Sequence, residues 1–204
     1  MDSAKAEQEL SFIKKVMEDS KQVTVDNGKY YILWGVLVSI ALFVNYGFIC
    51  IEVNKGYYYG IMWMIMMVGG AIASSVMKSR DLKKAKVHTF AGKVISSIWI
   101  AAGIAMFIVA FVGPAFKVYN YAYISSLISL ILGIAYYVSG EVQQLKWLKL
   151  LSIGWWAGGI ALFAVPGIHT YLIFGLMIIF FQTVPGFIMY NKWKEEIAGS
   201  ANTA

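Results

Sequence analysis

Residues 78–93 read KSRDLKKAKVHTFAGK, and six of these sixteen residues are Lys or Arg. A long uncharged apolar run lies on each side of this basic stretch. A basic loop between two such runs stays on the cytoplasmic face of a membrane. The stretch therefore predicts that the chain crosses a membrane both before and after residues 78–93.

The composition agrees with a membrane protein. Of the 204 residues, 59% are hydrophobic and 14% are charged, whereas soluble domains carry about 25% charged residues. The single cysteine, Cys50, cannot form an intrachain disulfide. The net charge of +6 reflects membrane topology. We expect no nucleic-acid partner, because no soluble segment is long enough to carry such a site.

Six apolar runs predict six transmembrane helices in an all-α membrane protein. Each run has about 18–22 residues, which is enough to cross a hydrocarbon core of about 30 Å as a helix. The runs are 30–51, 57–77, 94–112, 118–138, 147–165 and 171–190. The predicted organisation is a cytoplasmic amphipathic helix and turn over 1–29, a transmembrane domain over 30–190, and a cytoplasmic tail over 191–204.

The distribution of Lys and Arg predicts the orientation. Fifteen of these residues flank the runs on one side, and only Lys55 and Lys117 flank them on the other. Basic residues accumulate on the cytoplasmic side. We therefore expect both termini in the cytoplasm and an integral protein of a bacterial inner membrane.

The N-terminal segment, residues 2–22, predicts an amphipathic helix. Leu10, Ile13 and Met17 recur at helical spacing, with charged residues on the other side. Such a helix can lie in the membrane interface or bind a partner. An ordinary cytoplasmic helix packed on the bundle's own loops explains the pattern equally well.

The runs also predict three related helix hairpins. SIALF at 39–43 recurs as GIAMF at 103–107 and as GIALF at 159–163. A tryptophan precedes each copy, and a glycine follows in the second helix of each pair: Trp34, Trp99 and Trp155, then Gly70, Gly133 and Gly186. Parallel repeats of this kind are related by an axis along the membrane normal and are common in transport folds.

This layout resembles the HdeD-like acid-resistance membrane proteins, which are six-span bundles of short hairpins with Gly-rich first helices. The matching residues are Trp34-Gly35, Gly103, Gly158-Gly159 and the turn Val165-Pro166-Gly167. The charged N-terminal helix and the many aromatic residues depart from that pattern. The resemblance implies a role in membrane stress physiology.

Small residues at helical spacing predict close helix packing. They are Gly70 and Ser74 in the second run, Ser125, Ser129 and Gly133 in the fourth, and Gly154 and Gly158 in the fifth. Packing within the chain is the favoured interpretation. A homo-oligomer formed through Gly154 and Gly158 is the alternative.

Two amides define a candidate intramembrane polar site. No Asp, Glu, Arg or His lies within a run, which argues against a proton-coupled transporter. The polar groups that reach the membrane interior are Asn45 and Gln182, with scattered serines. Gln182 is close to Pro185, which leaves the carbonyl of Phe181 without its helical donor. The Gln182 amide therefore either donates to the free carbonyl of Phe181 or binds a ligand.

The basic stretch is also a candidate site for anionic lipid headgroups, which such clusters attract. Its residues are Lys78, Arg80, Lys83, Lys84, Lys86 and Lys93. The general preference for basic residues on the cytoplasmic side explains these cations as well.

We expect no enzyme, cofactor or metal, because His88 and His169 fall on opposite sides of the membrane and no catalytic motif is present.

Two functions follow from these features. One is the binding or passage of a small neutral solute within the bundle, with membrane lipids around it. The other is a membrane sensor or scaffold that acts through a cytoplasmic protein partner or anionic lipid at the N-terminal helix and residues 78–93.

Overall fold

The computed structural model describes residues 9, 11, 28–53, 55–84 and 90–202, and of 81–84, 90 and 196–202 the backbone only. This part of the chain is helical and contains no strand. Its helices are α1, Lys29–Cys50; α2, Gly56–Lys84; α3, which begins as Phe90–Phe107; α4, Ile124–Val142; α5, Lys146–Ala164; and α6, which begins as His169–Ile178. The predicted N-terminal amphipathic helix, 2–22, lies almost wholly outside the described residues.

Two of these helices continue beyond an internal break. A π-helical turn, Ile108–Val112, leads α3 into Gly113–Ala115, and a second, Ile179–Thr183, leads α6 into Val184–Asn202. A 3-10 turn, Tyr121–Tyr123, precedes α4. With these extensions, all six helices are long and apolar enough to cross a membrane. The protein thus has the helices of a polytopic membrane protein, with α1 beginning at what we call the near face and ending at the far face.

A proline explains each π-helical turn. Pro114 and Pro185 each follow the end of a turn by two residues, and proline has no N–H to donate to the carbonyl four residues earlier. In α3 the N–H of Gly113 bonds to the carbonyl of Ile108 instead of that of Val109. The hydroxyl of Tyr119 donates to the Val109 carbonyl and so satisfies it.

The first and last helices pack against each other at backbone distance. A Cβ added at Gly35 of α1 would lie 2.3 Å from Oγ1 of Thr183, and one added at Gly28 would lie 2.3 Å from the carbonyl oxygen of Gly186. The Ser39 hydroxyl donates across the same interface to the carbonyl of Gly175, 3.4 Å away. Small residues therefore hold α1 against α6, as they do in other membrane helix pairs.

The second close pair is α4 with α5. The hydroxyl of Ser129 donates to the carbonyl of Trp155 over 2.6 Å, and Nε1 of Trp156 donates to the carbonyl of Leu130 over 3.3 Å. A Cβ on Gly133 would lie 2.1 Å from that same Nε1 atom. Two hydrogen bonds and one glycine thus fix the register of this hairpin.

The helices α2 and α3 lie at the periphery. Trp34 of α1 covers Gly70 and donates its Nε1–H to the hydroxyl of Ser74 over 3.0 Å, which attaches α2 to α1. The opposite side of α2 is open, since Met64 and Ile65 are 67% and 65% exposed. In a membrane this apolar side faces lipid.

The three repeated motifs share an outward-facing residue, but the closest helix packing lies outside the predicted pairs. Ile40, Ile104 and Ile160, the second residues of the three related motifs, all point away from the bundle. The closest packing nevertheless occurs within α4–α5 and α1–α6, which are not the predicted hairpin pairs. The threefold repeat therefore stays a prediction.

Candidate functional site

Four aromatic rings meet at the centre of the bundle. Tyr136 of α4 is fully buried, and its ring centroid lies 5.5 Å from that of Tyr31, 5.6 Å from that of Trp99 and 5.7 Å from that of Trp155. Tyr31 and Trp99 also touch each other edge to face at 5.3 Å. These separations lie in the range that favours edge-to-face contact. Tyr136 is therefore the point at which α1, α3, α4 and α5 converge.

Trp155 extends this group to α6. Its ring contacts Phe174 at 6.1 Å and Phe181 at 5.7 Å, both close to edge-on. The aromatic cluster, as we name these rings, consists of Tyr31, Trp99, Tyr136, Trp155, Phe174 and Phe181. Five of the six helices contribute a ring to it, so it forms the common core of the bundle.

Two indole groups of the aromatic cluster keep an unused donor. Nε1 of Trp99 and Nε1 of Trp155 are buried and have no hydrogen-bond partner among the described residues. Trp155 as a whole is 0% exposed. A buried N–H without an acceptor costs about 1–3 kcal/mol, and native proteins satisfy most such groups with protein, water or ligand. The indole donors are therefore suited to a molecule that offers an acceptor.

Two serines of α4 also have buried hydroxyls without a partner in the described part of the chain. They are Ser126 and Ser139, both 0% exposed. Thirteen residues separate them along one helix, or roughly 20 Å. Ser126 is near the far face and Ser139 near the near face, so they do not form one site with each other.

The structure does not bring the predicted polar pair together. Asn45 and Gln182 are both buried, each 6% exposed. Because Gly35 of α1 lies against Thr183 of α6, Gln182 is near the level of Gly35. Asn45 is about nine residues further along α1, or roughly 14 Å away in depth. Oδ1 of Asn45 has no partner among the described residues, whereas Gln182 belongs to the π-helical turn Ile179–Thr183.

The predicted packing residues lie at contacts within the chain. Gly154 and Gly158 of α5 face α6: an added Cβ would lie 3.2 Å from the Phe181 ring at the first and 2.1 Å from Cε of Met177 at the second. Side chains of the same chain thus occupy the surface that the alternative assigned to a homo-oligomer. The remaining members of the predicted set are also at helix contacts or buried: Gly70, Ser74, Ser125, Ser129 and Gly133.

The basic stretch begins on a helix instead of a loop. Lys78 and Arg80 are exposed on the last turns of α2, which continues to Lys84, and Lys93 is exposed on the first turns of α3. The side chains of Lys83 and Lys84 and the whole of Lys86 lie outside the described residues. The cations that the structure places are therefore at the near-face ends of α2 and α3, which follow each other along the chain.

Within the described residues, the interior contains neither charged side chains nor a metal-binding group. The buried polar side chains of the described residues are Ser, Thr, Asn and Gln, without an Asp, Glu, Lys or Arg. The described residues contain no group of three His, Cys, Asp or Glu side chains that could hold a metal ion. His169 contacts Tyr46 at the far face, 6.1 Å between ring centroids, while His88 is outside the described residues.

Together these features define a polytopic membrane protein with an uncharged, aromatic interior. The chain matches no protein-family model, no curated protein and no solved structure.

Sequence reasoning missed the central residue of this site. Tyr136 is one turn beyond Gly133 and one turn before Gly140, on the buried side of α4, but nothing in its sequence context distinguishes it from the chain's other tyrosines. In the sequence, Trp99 and Trp155 stand out only through their place before the repeated motifs. The spacing of Ser129, Gly133 and Tyr136 along one helical side was the available signal.

Proposed function

We propose that this protein binds a small neutral solute within a six-helix bundle of a bacterial inner membrane, without catalysing a reaction. The observation that carries the proposal is the Nε1–H of Trp155, which is fully buried and has no acceptor among the described residues. Aromatic rings of Tyr136, Phe174 and Phe181 surround this tryptophan. The solute has an apolar body that packs against these rings and an acceptor, such as a carbonyl oxygen, for the indole.

The surroundings argue for a neutral solute. The described interior has no buried charged side chain to pair with an ion, and an unpaired charge in a low-dielectric environment is strongly disfavoured. Indole and phenol groups suit an uncharged molecule, because each combines a large apolar ring with one polar tip. We therefore expect the binding of ions to be weak compared with that of ketones or amides of similar size.

We favour binding of the solute over its passage through the helix bundle. The rings of Tyr31, Trp99, Tyr136 and Trp155 contact one another at the point where the helices converge. A solute that crossed the bundle would have to displace them, whereas a bound solute needs only to reach Trp155. We expect little protein-dependent swelling of proteoliposomes in glycerol or urea.

The test uses the indole resonances of protein labelled with 15N-tryptophan in micelles, with cyclohexanone as the probe. The chain has seven tryptophans, and Trp155→Phe and Trp156→Phe assign the two neighbouring signals. Trp156 is the matched control, because its Nε1–H already donates to Leu130. We expect cyclohexanone to shift the Trp155 signal in a saturable way and to leave that of Trp156 nearly unchanged.

Two outcomes would contradict the proposal. One is an unshifted Trp155 signal at saturating cyclohexanone. The other is an equal, unsaturable shift of all indole signals, which indicates that the ketone only partitions into the micelle. Cyclohexane, which lacks an acceptor, should compete weakly if the indole hydrogen bond contributes to affinity.

The proposed orientation places both termini in the cytoplasm, with the near face on that side. Its support is the fifteen-to-two distribution of Lys and Arg. In a Cys50→Ser background, a cysteine at Lys117 should react with an impermeant thiol reagent added outside intact cells. A cysteine at Lys84 should not react, and its labelling from outside would reverse the orientation.

A sensor or scaffold role is the second candidate, and the exposed cations of Lys78, Arg80 and Lys93 favour it. They lie at the near-face ends of α2 and α3, where anionic headgroups or an acidic cytoplasmic partner would meet them. A Lys78→Gln, Arg80→Gln variant that loses function in cells while keeping the cyclohexanone shift would support this role over solute binding. A membrane stress role, implied by the HdeD-like resemblance, is compatible with either candidate.

A further inference from the structure

An apolar surface groove lies at the far face, where α4 meets α5. An open groove of about 390 Å³ is lined by Tyr119, Tyr123, Leu127 and Phe163, and its exposed lining is apolar. We name it the far-face groove. It runs from the turn before α4 into that helix as far as Leu127, about 6–9 Å of helical rise. It is separate from the aromatic cluster and does not depend on the function proposed above.

Contacts within the chain fix the walls of the far-face groove. The Tyr119 hydroxyl donates to the carbonyl of Val109 in the π-helical turn of α3. Gly113 leaves room for this, because an added Cβ would lie 2.1 Å from the Tyr119 hydroxyl oxygen. On the other wall, the rings of Tyr123 and Phe163 lie 6.1 Å apart. The groove is therefore formed before any ligand arrives.

An exposed cation lies two residues along the chain from Tyr119, which lines the far-face groove. Lys117 is exposed in the turn that precedes Tyr119. In the sequence, Lys117 and Lys55 are the only basic residues that flank the apolar runs on the far side. An open apolar groove with a lysine two residues before one of its lining residues suits a ligand that has an apolar part and an anionic part.

We propose that the far-face groove binds one acyl chain of an anionic phospholipid, whose phosphate pairs with Lys117. The groove volume lies within the range of about 300–1,000 Å³ typical of sites for single small ligands. Pairing with a headgroup at the membrane surface adds selectivity for negative charge.

The test is native mass spectrometry of the whole protein after reconstitution with equal amounts of phosphatidylglycerol and phosphatidylcholine. We expect the wild-type protein to retain phosphatidylglycerol about fivefold better, which is the effect of one favourable charge near the surface. Lys117→Gln should remove this preference. Lys55→Gln, the matched control on the same face, should keep it.

A second variant tests the acyl-chain part of the proposal. Leu127→Phe fills the floor of the far-face groove and should lower retention of both lipids while leaving their ratio above one. Inorganic phosphate alone should give no adduct, because the groove contributes nothing to its binding. Equal retention of both lipids by the wild-type protein would overturn the proposal, as would identical effects of Lys117→Gln and Lys55→Gln.

Discussion

Replacing Gly186 with alanine should push α6 away from α1. A Cβ at this position would lie 2.9 Å from the backbone nitrogen of Ile32 and 2.9 Å from Cβ of Tyr31, whereas ordinary contacts begin at 3.4 Å. Neither atom can move by a side-chain rotation. One helix must therefore shift by roughly half an ångström, and overpacking of this kind costs about 1–3 kcal/mol.

The higher helix propensity of alanine should partly offset this destabilisation, so the measurement needs a matched control. Alanine is favoured over glycine in a helix by about 1 kcal/mol. Gly103 of α3 supplies the reference, because nothing lies within 4 Å of an added Cβ there. The difference between Gly186→Ala and Gly103→Ala isolates the packing contribution. We expect Gly186→Ala to be the less stable variant by about 1–3 kcal/mol.

The assay is equilibrium unfolding in mixed micelles of a mild detergent and dodecyl sulfate, followed by tryptophan fluorescence. Gly158→Ala provides an intermediate case, since its Cβ would meet only the flexible end of Met177. We expect this variant to lose less than about 1 kcal/mol in free energy of unfolding. Equal stabilities for Gly186→Ala and Gly103→Ala would show that α1 and α6 do not meet at backbone distance.

Three further changes test two hydrogen bonds and one backbone conformation in the same assay. Tyr119→Phe removes the donor to the Val109 carbonyl and should cost about 1–3 kcal/mol, because that carbonyl has lost its helical partner. Ser129→Ala removes the 2.6 Å bond to the Trp155 carbonyl and should cost only about 0.6 kcal/mol; a larger loss than for Tyr119→Phe would contradict this ranking. Gln144→Gly should stabilise the α4–α5 hairpin by about 0.5–1 kcal/mol, because Gln144 has φ of 55°, a conformation that glycine adopts more easily; an unchanged or lower stability would refute this expectation.

The membrane-crossing helices could be predicted from the sequence because each signal is local. An uncharged run of about 20 residues has to be helical in lipid, where no water can satisfy its backbone. The apolar runs do not show where each helix ends. The helix α2 continues to Lys84, because lysine, arginine and leucine are good helix formers and no glycine or proline stops them beyond the apolar run.

The partners of the helices could not be predicted in the same way. Gly35 was not among the residues predicted to pack closely, and nothing near it in the sequence identifies Thr183 as the residue it meets. Most membrane helices are apolar on all sides, so periodicity does not show which side faces the bundle. For the same reason Asn45 and Gln182 were paired by polarity alone, although they lie at different depths, and Tyr136 was overlooked.

The pairing of α1 with α6 has a consequence for synthesis. Ribosomes add about 5–20 residues per second, from the N-terminus onward. The chain between Cys50 and His169 therefore separates the arrival of these two helices by on the order of ten seconds. During that interval the glycine and serine surface of α1 has no helix to cover it, while α4 and α5 can join as soon as both are made. We expect nascent chains halted before His169 to be recognised as incomplete by membrane quality control.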